Sequence, residues 1–91
     1  MTHAITLVEA EQPALATLGE AIAGIDGVAE AYSVTGDWDF AVVVRVKTPE
    51  DVSRVVQHQL AQLPGIRRTH TMLAFEVFSR HDLEALFSIG S

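Results

Sequence analysis

Residues 34 to 40, VTGDWDF, put a glycine, two carboxylates and the chain's one tryptophan within four consecutive positions. Asp37 and Asp39 have the residue types of a general acid/base pair. Such a pair needs a shaped, partly dry pocket to push its two pKa values apart, and a hairpin supplies none. No nucleophile stands beside them, so catalytic residues are not expected. Two other uses remain open. One carboxylate holds an ammonium group of a ligand while backbone N–H groups of the glycine turn meet the ligand's carboxylate. Alternatively, Asp37 is a turn residue and Asp39 bonds local backbone. Trp38 then walls a pocket or packs at an interface. Thr69 and Thr71 carry two hydroxyls on one side of a later strand, for a ligand or for neighbours within the sheet.

The four histidines, His3, His58, His70 and His81, lie in a terminus, a helix surface, a strand and a tail. No pair has the i, i+4 spacing of a helical zinc site, so no metal is expected. His70 shares its strand face with Met72, Ala74 and Phe78, which suits an interface histidine. The absence of cysteine removes thiol nucleophiles, disulfides and thiolate metal sites, and no cofactor is expected. A net charge of −6 with six Lys and Arg speaks against direct nucleic-acid binding, which needs clustered cations at phosphates. The one basic pair, Arg67 and Arg68, reads as the solvated start of a strand. At 91 residues the chain has material for one core, so we expect a single domain over 1–91 with its core at about 4–78 and a short helical tail at 81–88. Its 48% hydrophobic content is more than one small core requires, which predicts apolar surface that meets a partner. No apolar run reaches membrane-spanning length and the start MTHAITLVEA is not a secretory signal; the expectation is a cytoplasmic chain with no membrane partner.

These residues must be positioned by regular elements, and the pattern of those elements is clear. ITLVEA at 5–10 is β-branched and apolar, and predicts a strand. Pro13 then fits a first helical turn, and Leu15, Leu18, Ile22 and Ile25 form a helical stripe over about 13–24. VAEAYSV at 28–34 and DFAVVVRV at 39–46 predict a hairpin around Gly36-Asp37, with a type II′ or related tight turn. Thr48-Pro49-Glu50-Asp51 is a capped helix start, followed by an apolar stripe from Val52 to Leu63, and Pro64-Gly65 stops it. IRRTHTMLAFEVF at 66–78 is β-prone throughout. An offset of 38 aligns Leu18 with Val56, Ile22 with Leu60, Gly27 with Gly65 and Val34 with Met72, so both halves read helix, glycine stop, strand. Two right-handed β-α-β units joined by a hairpin predict an α+β, ferredoxin-like βαββαβ fold: a four-stranded antiparallel sheet with both helices on one face. Neither the 39–46 strand nor the last one has a cleanly polar side, so the uncovered face is expected to meet a second copy, sheet against sheet.

The succession LGEAIAGIDGVAEAYSVTGDWDFAVVVRVKTPEDV and LPGIRRTHTMLAF resembles the effector-sensing and oligomerisation (RAM) domain of the Lrp/AsnC transcriptional regulators, over residues 4 to 78. The V-x-x-A-Y-S-V-T-G-D-W-D hairpin, the P-G-I-R-R-T-H-T-M segment and the distance between them carry the likeness. The resemblance implies a dimeric αβ barrel, association into tetramers or octamers, and an amino acid or related small metabolite bound between dimers. The effector-binding candidates it implies are Tyr32, Val34, Gly36, Asp37, Trp38, Asp39, Thr69 and Thr71. The resemblance starts within a few residues of Met1, so the expectation is the stand-alone form, without a DNA-binding helix-turn-helix. Such a module senses a metabolite without being an enzyme, or joins a full-length regulator in mixed oligomers. The same dimeric barrel also houses small monooxygenase-like enzymes, in which His70 and the aspartate pair would act; that is the alternative.

Overall fold

The computed structural model describes residues 1–78. The helical turns expected at 81–88 lie outside the described residues. The elements are β1 (Thr2–Ala10), α1 (Leu15–Ala23, entered through a 3-10 turn at Gln12–Ala14), β2 (Val28–Ser33), β3 (Phe40–Val46), α2 (Pro49–Ser53) and β4 (Ile66–Leu73). Between α2 and β4 the helix continues with π winding over Arg54–Gln59 and closes with a 3-10 turn at Leu60–Gln62. The strand order is β2-β3-β1-β4, with β1 pairing antiparallel to β3 and β4, and β2 antiparallel to β3. This is the expected ferredoxin-like α+β arrangement.

Strand alternation and helical spacing produce it together. Ala4, Thr6 and Val8 in β1 share a side with Phe40, Val42, Val44 and Val46 in β3, and all are buried. Leu18 and Ile22, four residues apart in α1, cover one half of that side. Val52, Val55, Val56 and Leu60 cover the other. Among the described residues Thr6 is the one polar residue in this core, and its hydroxyl meets the Thr71 hydroxyl at 3.0 Å, which satisfies both. Thr48 caps the start of α2 as expected, and Asp51 adds a return bond that completes a capping box. Asp51 N donates to the Thr48 hydroxyl and Thr48 N donates to the Asp51 carboxylate, each at 3.3 Å. The Arg54 guanidinium, 3.1 Å from Asp51, and the Thr48 contact hold the Asp51 carboxyl below its ordinary range.

The repeat is visible in the backbone. Gly27 and Gly65 end the two helical segments with positive φ, 102° and 95°. A Cβ at Gly27 would stand 2.7 Å from Val55 Cγ2, and one at Gly65 would overlap the Ala14 Cβ. Each position needs glycine twice over, for the backbone angle and for the space.

Two elements differ from expectation. The last strand ends at Leu73, not at 78. Ala4 faces Leu73, Ala74 N donates to His3 O at 2.9 Å, and β1 has only Thr2 left beyond that point, so the ladder runs out of partner before the β-prone sequence ends. The hairpin is also wider than a two-residue turn. Val34 N donates to Asp39 O at 3.0 Å and leaves 35–38 as a four-residue loop, with Gly36 at φ 103°.

Candidate functional site

The hairpin loop folds against the end of β1 and the start of β4, and one side chain ties it there. Asp39 Oδ2 accepts from Ala10 N at 2.8 Å, while Asp39 N donates to Val8 O at 2.8 Å. The second aspartate of the pair is thereby committed to backbone. Asp37 is exposed and makes no side-chain hydrogen bond or ion pair among the described residues. Trp38 lies between them, half-buried. The Arg68 guanidinium stacks over its ring at 4.4 Å from the centroid, and the His70 ring is 6.1 Å away at a tilt of 40°. Arg68 also reaches Glu9 at 3.5 Å. The corner therefore combines a free carboxylate, a loop whose glycine exposes its backbone, and an aromatic ring backed by a cation.

The eight sequence candidates do not all converge here. Val34, Gly36, Asp37, Trp38 and Asp39 form the corner. Tyr32 sits on the uncovered face of the sheet, 49% exposed, with its hydroxyl donating to the Glu30 carboxylate. That hydrogen bond, and next the charge of Glu30, raise the Tyr32 pKa. Thr69 and Thr71 pair with Val8 and Thr6 and so face the helices. Thr71 lines a separate groove of about 270 Å3 under α2, with Val52, Val56 and Leu73 among its walls. Among the described residues, the groove lining holds no carboxylate, imidazole or amine.

Sequence reasoning missed Arg68. A basic doublet at a strand start reads as solvated, and the signal that corrects it is the strand period: Arg68, His70 and Met72 share one side of β4, next to Glu9, Leu7 and Ile5 of β1. That uncovered side has an apolar centre of Ile5, Leu7, Val43 and Met72. Its flanks are the ion pairs Arg68–Glu9 and Arg45–Glu30, the latter at 4.0 Å.

A family described as the Lrp/AsnC ligand binding domain matches residues 3–83. The chain belongs to that family. Among curated relatives, an uncharacterised HTH-type transcriptional regulator of Pyrococcus abyssi is 37% identical over 59 residues, which are 65% of this chain and 39% of that regulator. This Lrp/AsnC domain thus spans well under half the length of that relative. A solved protein of Thermus thermophilus is 41% identical with a TM-score of 0.82, covering 88% of this chain and 100% of that one. The transcriptional regulator NMB0573 of Neisseria meningitidis, solved as a complex with L-Met, shares the fold: TM-score 0.77 at 14% identity, over 87% of this chain and 53% of that one.

Proposed function

We propose that this Lrp/AsnC domain is a non-enzymatic sensor of an amino acid or a related small metabolite, and that it works as a homodimer closed through the uncovered sheet face and assembled further into tetramers or octamers. The observation that carries the sensing half is the hairpin corner. Asp39 anchors the loop, which leaves Asp37 to meet an ammonium group and the Gly36 backbone to meet a carboxylate, with Trp38 as the wall. The L-Met complex of the Neisseria relative supports an amino acid as the ligand class. The apolar centre of the open face, with Ile5 and Met72 each 42% exposed, supports the dimer. Thr69 and Thr71, which point to the helix side, would join a ligand site only as groups offered to a neighbouring subunit.

Thermal unfolding in the presence of each of the twenty amino acids tests the reading, because a ligand of the folded state raises Tm as its concentration exceeds Kd. We expect a shift with a subset of them, lost in Asp37→Ala. A flat response across amino acids and related metabolites removes the sensor reading. Ile5→Lys tests the dimer separately: its mass by light scattering should fall, and an unchanged mass argues against pairing through this face.

A further inference from the structure

Among the described residues three arginines form ion pairs, and they are engaged to different degrees. Arg54 stands 3.1 Å from Asp51 and reinforces the capped start of α2. Arg45 in β3 reaches Glu30 in β2 at 4.0 Å. Arg68 donates from Nη2 to Glu9 Oε2 at 3.5 Å, long for a charge-assisted hydrogen bond, and its side chain is 59% exposed. The Trp38 ring, 4.4 Å away, supports its guanidinium from one face. A guanidinium carries N–H donors along both sides of its fork. Beyond the Glu9 contact, no side-chain hydrogen bond among the described residues uses those of Arg68. The stack thus orients the group and leaves its edge to solvent. Register puts it in the ligand corner: Arg68 pairs with Glu9, the next residue Ala10 donates its N–H to Asp39, and Asp39 anchors the loop that carries Gly36 and the exposed Asp37.

We infer that Arg68 selects the ligand of the hairpin corner, and that this ligand is an amino acid whose side chain ends in a carboxylate, aspartate or glutamate. This ligand class rests on the sensor reading above and narrows it. An amino acid held by its ammonium group at Asp37 and by its α-carboxylate at the Gly36 backbone has the Trp38 wall beside it for its side chain. The face of that wall covered by Arg68 presents N–H donors, not apolar carbon. A side-chain carboxylate takes those donors in the two-pronged geometry that suits a guanidinium, and the stack on Trp38 has already fixed the plane they lie in. An aliphatic side chain laid on the same face strips water from the donors and returns no hydrogen bond. An amide of the same shape offers one neutral oxygen in place of two charged ones. The charge of the ligand side chain, more than its size, is therefore what the corner reads. Glu9 does not pre-empt this role, because its single long contact engages one nitrogen of the fork.

The isosteric pairs glutamate–glutamine and aspartate–asparagine isolate that charge. Calorimetric titration of the parent chain with L-glutamate, L-aspartate, their amides, L-leucine and L-methionine should give one of the acids a Kd at least about tenfold below that of its amide, as a hydrogen-bonded charge pair requires. Arg68→Met keeps an unbranched chain beside Trp38 and removes the donors. In this variant the acid and its amide should bind about equally, while neutral amino acids bind no worse than to the parent. Thermal unfolding without ligand checks that the variant folds; were it to unfold early, the ratio of acid to amide in the parent chain still decides. A ratio near one in the parent, tighter binding of leucine or methionine than of either acid, or an unchanged ratio in a folded Arg68→Met overturns the inference and leaves the sensor reading standing. Binding of no amino acid at all overturns the sensor reading itself, and the acidic ligand with it.

Discussion

On the helix side of the sheet Val8, Val42 and Val44 keep no exposed surface, while on the other side Ile5 and Met72 remain 42% exposed. The same strands and the same alternation build both sides. The difference is that two helices from one chain can cover only one face, so the chain buries half of its own apolar pattern and leaves the other half exposed. The covered side is uniform and nearly free of polar atoms; the open side mixes an apolar centre with ion pairs, a histidine and the hairpin corner.

This contrast is breakable by mutation. The largest effect should come from the covered side: Leu60→Ala, at a fully buried position, should lower protomer stability by about 2–5 kcal/mol in denaturant unfolding. A loss below about 1 kcal/mol would mean that the helical segment running from α2 to Leu60 is not the lid this packing describes. The hairpin corner should separate its two carboxylates. Asp39→Ala strips the charged acceptor from Ala10 N and should cost about 1.5–3 kcal/mol, whereas Asp37→Ala should stay within about 0.5 kcal/mol, as an exposed surface change does. Equal losses for the two would dissolve the distinction between an anchoring carboxylate and a solvent-exposed one. The smallest effect belongs to the helix start, which lies on neither face. Asp51 is held below its ordinary value of 3.8 by Arg54 and Thr48, so its contribution is present above that value and lost as pH falls through the lower folded one. Compared with Asp51→Asn, the parent chain should therefore be more stable near neutrality and lose that advantage only in acid below pH 3.8; a difference that persists in strong acid would argue for packing instead of charge.

Much of this was legible in the sequence. The stripe Leu18, Ile22, the cap Thr48, and the glycine stops at 27 and 65 each act through neighbours close along the chain, and each appears where the pattern places it. What the sequence hid was set by distant pairing. The end of β4 depends on how far β1 extends, which the β-prone run 66–78 does not know. The width of the hairpin loop depends on Asp39 reaching Ala10, twenty-nine positions away. Arg68 reads as solvent-facing from its own neighbours and becomes a partner of Trp38 only when β4 lies beside β1. For the candidate site the same rule holds: the residues of the loop came together, while Tyr32 and Thr71 went to opposite faces because the strand period, invisible in a list of polar residues, assigns them there.

The stacked Trp38 has one more consequence. It is the chain's one indole, and it sits under a guanidinium and near an imidazole at the corner where the loop, β1 and β4 meet. Its fluorescence is therefore a local signal in a protein that has no other tryptophan to blur it. A change of emission on adding a metabolite reads out this corner alone and needs no label.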